Sequence, residues 1–280
     1  MVAEARFIRG MVIFSILMAG VLTALPAAMA AEGDSQEKPW ERFSLNLGGF
    51  VTSLNSDVSI GVRNVGISVD LEKALGLDTN MSVFRGDAIL RLGDSRRHRL
   101  DFGFLDLKRS GTKTLGRDVT IGDTVYPLGT TVETEFDFSL FKGAYSYSLV
   151  QDAKIDFGLG IGLYVAPIKF RISSTRSAAV EEESVTAPLP FLGVRLDYAI
   201  TPKLFIKQSV DFFYMEYNQF KGRLLDAKIG IEYNIWKHFG LGLAYNFFYM
   251  DVESDGGTVD WKGSINFGFS GLMLYGKMMF

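Results

Sequence analysis

Strict alternation of apolar residues with polar or small residues recurs along most of this chain and constrains its fold. Residues 224–235 read LLDAKIGIEYNI, in which Ile229, Ile231 and Tyr233 share one face and charged residues share the other. Residues 155–165 and 239–249 repeat the pattern with glycine on the polar face. Because successive side chains of a β-strand point to opposite faces, a period of two over this length indicates long strands.

The alternation predicts ten strands joined by connections that are short and long in turn. The predicted strands cover residues 43–54, 81–92, 98–109, 132–149, 154–172, 188–200, 203–217, 223–236, 238–252 and 259–280. An even strand number, with short turns at one end and longer loops at the other, is typical of outer-membrane barrels. The predicted fold is therefore all-β: a transmembrane antiparallel up-and-down β-barrel of about ten strands, with eight or twelve as alternatives.

A soluble β-sandwich also shows alternation, so the composition of the polar face decides between the two folds. In a sandwich that face meets water, whereas here it combines glycine with balanced charges, which suits the crowded interior of a narrow barrel. Tyrosines near strand ends, such as Tyr198, Tyr214 and Tyr245, match the aromatic girdles of membrane barrels. The charged residues predicted to face the lumen are Arg85, Asp87, Arg91, Arg195, Asp197, Lys207, Asp211, Asp226, Lys228 and Glu232.

The N-terminus has the organisation of a secretory signal peptide. Arg6 and Arg9 precede an apolar stretch over residues 11–25, and Ala28-Met29-Ala30 supplies the small-residue cleavage pattern. The predicted division is a signal peptide over residues 1–30 with cleavage near Ala30, a polar tail over residues 31–39 and a barrel domain over residues 40–280. This division predicts a location in the cell outer membrane of a Gram-negative bacterium.

The C-terminal strand resembles a known class of sequence. GSINFGFSGLMLYGKMMF ends on an alternating strand at Phe280 and resembles the assembly signal of bacterial outer-membrane β-barrels. The resemblance implies that the barrel assembly machinery contacts this strand, with Phe280 as the signal residue. Tyr275 lies on the face opposite Leu274 and Met278, so we expect a change of parity near Ser270-Gly271, such as a β-bulge.

Two further segments resemble a group of uncharacterised proteobacterial outer-membrane proteins with OmpA-like or porin-like barrel domains. They are RHRLDF at residues 97–102 and RDVTIGDTVYPLGTTV at residues 117–132. The resemblance implies a location and no chemistry. The ten-stranded omptin proteases also resemble this chain in strand number, and their site uses carboxylates with a histidine near the extracellular rim.

Composition argues against the site chemistries that such barrels use. The chain has no cysteine, which excludes disulfides, thiolate metal sites and catalytic thiols. Its formal net charge of −3 argues against a nucleic-acid surface. His98 and His238, the two histidines, both fall beside short turns predicted to be periplasmic, beyond reach of an extracellular site. We therefore predict no catalytic residue, no metal site, no cofactor and no enzymatic activity.

The predicted long loops contain three features of their own. In loop 110–131, β-prone triplets on both sides of Gly122-Asp123 predict a hairpin, which we expect to prolong two barrel strands rather than bind a partner or fold over the mouth. In loop 55–80, Asp70–Leu77 predicts a short helix packed on the rim. Glu181, Glu182 and Glu183 predict a solvated acidic run in loop 173–187.

Barrel size limits the function, because side chains fill barrels of about eight strands and open channels appear at about sixteen. The main hypothesis is an integral outer-membrane barrel with a structural or surface-recognition role. The alternatives are a narrow channel for small or charged solutes and a lipid-modifying enzyme. The expected partners are outer-membrane lipid and lipopolysaccharide, the barrel assembly machinery through the C-terminal strand, and an unknown surface ligand, with no nucleic acid.

Overall fold

A computed structural model describes residues 39–60, 69–70, 80–121, 124–174, 180–217, 220–255 and 262–280. The predicted signal peptide, and the polar tail as far as residue 38, lie outside the described residues. Among the residues described, none forms a helix that is both long and apolar enough to cross a membrane.

Ten long antiparallel strands form one closed barrel. The strands are β1 (Phe43–Ile60), β3 (Asn80–Leu92), β4 (His98–Thr114), β7 (Thr131–Gln151), β8 (Ile155–Ser174), β9 (Val180–Ala199), β10 (Leu204–Tyr217), β11 (Phe220–Trp236), β12 (Phe239–Asp255) and β13 (Lys262–Met279). Each pairs with the next in this order, and β13 pairs back to β1. Three short strands lie between them: β2 (Val69–Asp70), β5 (Val119–Ile121) and β6 (Thr124–Tyr126). The predicted ten-stranded all-β barrel is confirmed.

The seam between β1 and β13 is continuous. Its register runs from Ser44 opposite Met279 to Ile60 opposite Gly263 without a shift, and β12 pairs with the other edge of β13 equally regularly. The predicted change of parity near Ser270-Gly271 is therefore wrong. Phe267, Phe269 and Tyr275 all face the interior, because the upper half of the lumen is itself apolar.

The interior has two layers of different chemistry. Charged side chains fill the half nearest the short turns, and an apolar cluster fills the half nearest the long loops. Each strand keeps the same inward parity as it passes from one layer to the other, so its inward residues change from charged to aromatic and aliphatic. Tyr164 and Tyr275 belong to the apolar cluster, and their hydroxyl groups reach the charged layer.

The outer wall carries an apolar band of limited height. On β7 the outward residues are Leu149, Tyr147, Tyr145 and Phe141, all exposed, and beyond them Glu135 and Glu133 are exposed instead. The eight residue steps from Leu149 to Phe141 rise about 21 Å in a strand tilted by about 40°. That height is close to the apolar band of about 25 Å of a membrane barrel.

Strands β8 and β9 extend beyond this band and correct one of the predicted loops. Strand β8 continues to Ser174 and β9 begins at Val180, so Glu181, Glu182 and Glu183 lie in a strand, paired with residues 170–172, and not in a solvated loop. The pairing continues because Phe170 and Ile172 of β8 are buried in the apolar cluster at this height.

The predicted hairpin is present but does not prolong the barrel strands. Strands β5 and β6 form a separate two-stranded sheet, and the predicted turn residues lie outside the described part of the chain. Leu115, Val119 and Tyr126 are buried in the apolar cluster of the lumen. The hairpin therefore folds over the mouth of the barrel, with these three side chains packed against the lumen cluster. Asp70, the predicted start of a helix, lies in β2 instead, and residues 71–77 are outside the described residues.

Candidate functional site

The charged layer of the lumen is the first candidate site, and Asp197 on β9 lies at its lower centre. One oxygen of Asp197, Oδ2, accepts hydrogen bonds from Arg91 at 2.9 Å, Lys207 at 3.0 Å and Arg99 at 3.4 Å. Arg91 also donates to Asp156 at 3.1 Å. The donors come from β3, β4 and β10, so one carboxylate ties together strands from opposite sides of the barrel.

Asp211 on β10 is the centre of the upper part of the same layer. Its Oδ1 lies 2.6 Å from Arg195, and its Oδ2 accepts hydrogen bonds from Lys142 at 2.5 Å and Tyr164 at 2.6 Å. The hydroxyl of Tyr164 also lies 2.8 Å from Asp226 Oδ2. Tyr164 thus joins two buried carboxylates just below the apolar layer.

Glu232 and Glu41 form a third centre at the base. Lys277 Nζ lies 2.8 Å from Glu232 Oε2 and 2.6 Å from Glu41 Oε1, and the Tyr275 hydroxyl donates to Glu232 at 2.9 Å. Burial alone raises the pKa of Glu41, which precedes β1, but Lys207, Lys277 and Arg91 hold that pKa well below its ordinary value. The Glu41 carboxylate is therefore charged near neutral pH.

Arg85 and Asp87 of β3 connect the network to β11 and β12. Arg85 donates to Asp87 at 3.1 Å and to Asn246 at 2.8 Å, and Asn246 donates to Asp226 at 2.7 Å. Lys228 donates to Asp87 at 3.2 Å. Every member of this group lies within hydrogen-bond distance of another, as buried charges require.

The ten charged residues selected from the sequence all lie in this layer, each in at least one ion pair: Arg85, Asp87, Arg91, Arg195, Asp197, Lys207, Asp211, Asp226, Lys228 and Glu232. The layer also contains six charged residues and two tyrosines that are not among the predicted ones: Glu41, Arg99, Asp101, Lys142, Asp156, Lys277, Tyr164 and Tyr275. For Arg99 and Asp101 the signal was present, because they alternate with Leu100 and Phe102 at period two.

The charges of the layer balance. In the described part of the chain it contains eight cationic and eight anionic side chains. They are Arg85, Arg91, Arg99, Lys142, Arg195, Lys207, Lys228 and Lys277 against Glu41, Asp87, Asp101, Asp156, Asp197, Asp211, Asp226 and Glu232. Since unpaired buried charge is costly, a buried polar layer needs this balance.

Little open space remains in either layer. The cavity in the charged layer has a volume of about 50 Å³, which holds a few water molecules. Above it, aromatic rings pack against one another inside the lumen, with centroids 4.3 Å apart for Phe138 and Phe267 and 5.0 Å apart for Phe248 and Phe269. A solute crossing the barrel has to displace both the ion pairs and the ring cluster.

The histidines and the C-terminal residue lie at the end of the barrel with the short turns. His98 Nδ1 lies 2.7 Å from the Tyr145 hydroxyl on the outer wall, and His238 Nδ1 lies 3.0 Å from the carbonyl oxygen of Met279. Phe280 is exposed, and its backbone pairs with Phe43 at the end of the seam. Within the described ranges, no group of three or more acidic, histidine or cysteine side chains is arranged to hold a metal ion.

The architecture has counterparts among solved structures. The outer membrane protease OmpT of Escherichia coli superposes with a TM-score of 0.54 at 11% identity, covering 85% of this chain and 96% of that chain. The fold is that of an outer-membrane β-barrel. At this identity the likeness carries the fold and not the activity.

Two further solved structures match this chain with lower TM-scores, and these matches support no comparison of function. The attachment invasion locus protein Ail of Yersinia pestis has a TM-score of 0.35 at 12% identity, covering 85% of this chain and 97% of its own. The toluene transporter TodX of Pseudomonas putida has a TM-score of 0.36 at 8% identity, covering 86% and 91%.

Residues 138–270, slightly less than half of the chain, match a family described as a protein of unknown function, DUF481. No curated protein matches the chain.

Proposed function

We propose that this protein is a closed barrel of the Gram-negative outer membrane with a structural or surface-recognition role, and that it neither conducts solutes nor catalyses a reaction. The observation that carries the proposal is the filled lumen. Ion pairs occupy the lower half, aromatic rings occupy the upper half, and the cavity between the charges measures about 50 Å³. Such a barrel acts through its outer surface, its loops and its attachment to the membrane.

The narrow-channel alternative requires the lumen to open. An ion has to pass Arg91 and Asp197, whose side chains are almost fully buried against each other. Leaving one partner of a buried ion pair without its counter-charge costs about 3–5 kcal/mol. The ring cluster above the ion pairs, which includes Phe138, Phe248 and Phe267, then presents a largely apolar barrier.

The surface for recognition is the part of the barrel beyond the apolar band. The segment that contains the hairpin of β5 and β6 covers the mouth of the barrel. Two apolar residues of this segment, Val125 and Leu128, are exposed. These two residues and the outward polar face of β7 to β9 are the proposed contacts for a surface ligand. Lipopolysaccharide is the proposed partner of the outer wall of the barrel. We assign the barrel assembly machinery to β13 and its terminal Phe280.

Conductance tests the closed lumen directly. Protein purified from membranes and inserted in a planar bilayer is expected to remain silent at moderate voltage, because neither layer offers a path. Heat-modifiable gel migration confirms that the inserted protein is folded, and a general porin in the same bilayer confirms that conductance is detectable. Discrete, ion-selective steps from the folded protein would overturn the proposal in favour of the narrow channel.

Cysteine labelling tests the orientation. Because the chain has no cysteine, a single introduced cysteine is the one thiol of the protein that a maleimide can label. Leu128→Cys on the hairpin is expected to react with a membrane-impermeant maleimide on intact cells. Lys237→Cys, in the short turn between β11 and β12, is expected to react only after the outer membrane is permeabilised. The reverse pattern would place the hairpin in the periplasm.

A further inference from the structure

The pairing between strands β9 and β10 ends midway up the barrel wall. Their pairing runs from Ala199 opposite Phe205 to Leu192 opposite Phe212, and within the described residues it goes no further. Both strands continue, β9 on β8 as far as Val180 and β10 on β11 as far as Tyr217. The wall therefore has a split on one side, starting within the apolar band.

Two prolines explain why the ladder ends here. Pro188 and Pro190 lie on β9 just beyond Leu192 and have no N–H to donate. Both still pair with β8, opposite Val165 and Leu163. Proline is accommodated in a strand where its nitrogen faces an unpaired edge, so the side of β9 that lacks donors is the side towards β10.

A groove of about 670 Å³ begins at this split and crosses the outer wall towards β4. Its surface is mainly apolar and aromatic, with two tyrosine hydroxyls as the side-chain polar groups. Its lining includes Leu163, Leu192, Phe212, Phe213 and Tyr214. Phe213 has inward parity, so the groove reaches into the wall at the split. Its volume lies within the range of ligand sites, and its lining is predominantly apolar, as theirs is.

Gly143 of β7 leaves the floor of the groove open. Its neighbours Lys142 and Ala144 point inward, so Gly143 faces outward, and a Cβ built there meets no atom within 4 Å. The upper end is polar: Tyr214 donates to Glu216 at 3.0 Å, and the Arg223 guanidinium lies 5.8 Å from the Tyr214 ring centre. The groove thus has an apolar body and a polar end at the level where lipid headgroups begin.

We propose that this groove is a binding site for one acyl chain of a membrane lipid, held along the outer wall at the split between β9 and β10. The inference rests on the proposed function, since the occupant comes from the bilayer around the wall. The groove is continuous with the lipid-facing band, so a chain enters it sideways without crossing a polar surface. Its headgroup lies beside Tyr214 and Arg223.

Photocrosslinking in vesicles tests the site. The barrel is inserted in phosphatidylethanolamine–phosphatidylglycerol vesicles that contain a phospholipid with a diazirine on one acyl chain, and adducts are mapped by mass spectrometry. Leu192 in the groove and Leu274 on the far wall are equally exposed, at 66% and 64%. We expect several-fold more adduct at Leu192, because a held chain stays near it longer than a passing one.

Filling the groove supplies the matched variant. Gly143→Trp places a ring on its floor and is expected to lower the Leu192 adduct to the level at Leu274. Gly276→Trp, also outward and with its nearest neighbour 3.7 Å away, is expected to leave the Leu192 adduct unchanged. Gly143→Leu serves if the larger side chain prevents folding.

The outcomes separate this inference from the proposed function. Equal adducts at Leu192 and Leu274 in the unaltered protein, or a Leu192 adduct that survives Gly143→Trp, would overturn the acyl-chain site while leaving the membrane barrel intact. A folded protein without adducts at either leucine would instead overturn the membrane location, and the acyl-chain site with it.

Discussion

Replacing Asp197 by alanine should destabilise the barrel by about 3–5 kcal/mol, the cost of removing one partner from a buried ion pair. The substitution leaves Arg91, Arg99 and Lys207 without their shared acceptor and changes eight buried anions to seven against eight cations. The measurement is urea unfolding of the protein refolded in vesicles, followed by tryptophan fluorescence and gel migration.

Asp94→Ala is the matched control. Asp94 also accepts from an arginine, Arg42, at 3.2 Å, but both side chains are exposed at a short turn. Water and salt screen such a pair, so its loss is expected to leave the unfolding midpoint almost unchanged. If Asp197→Ala unfolds at the same urea concentration as Asp94→Ala, the charged layer does not stabilise the closed lumen.

The same network explains why the barrel requires so many charges in one place. An apolar filling of the lower lumen would pack as well, and buried ion pairs are not in general more stabilising than apolar residues. Ion pairs between particular strands, such as Arg91 of β3 with Asp197 of β9, are satisfied in one register only. The charged layer therefore favours one arrangement of the strands, whereas the apolar layer above it tolerates many.

The alternation of residues is sufficient to predict the strands. In the lower half of the barrel each strand has polar residues on its inward face and apolar residues on its outward face, so the two kinds alternate along the sequence. Ten strands were placed within a few residues, apart from β1, β4 and β9, which extend further. The selection of lumen charges followed from the same parity. Arg99 and Asp101 were within reach of that reasoning, since their strand shows the same alternation.

The apolar upper lumen was not predictable from parity, and this explains the wrong expectation at Ser270-Gly271. If the apolar residues of this strand all faced lipid, Tyr275 would conflict with Leu274 and Met278, which lie on the opposite face. Where both faces of a strand are apolar, alternation disappears and the inward side cannot be identified. The split between β9 and β10 was equally hidden, because it depends on which neighbour Pro188 and Pro190 face.

Gly48 of β1 is the position where a single methyl group is expected to prevent regular closure. It faces inward at the seam, where a Cβ would lie 2.3 Å from the carbonyl oxygen of Leu274 and 2.5 Å from Cβ of Tyr275. Both are fixed parts of β13, so neither side-chain rotation nor solvent relieves the clash. Gly48→Ala should therefore destabilise the barrel by about 3 kcal/mol, the upper part of the usual range for overpacking.

Gly49→Ala adds the same methyl group one residue further along and supplies the comparison. Gly49 faces outward, and its Cβ would lie 3.4 Å from the carbonyl oxygen of Val83, an ordinary contact. We expect Gly49→Ala to keep heat-modifiable migration and Gly48→Ala to lose it at a lower temperature and urea concentration. Equal stability of the two variants would contradict the register that places Gly48 opposite Tyr275. Tyr275 reaches Glu232 from that position, so the closing of the seam and the assembly of the charged layer depend on the same residue pair.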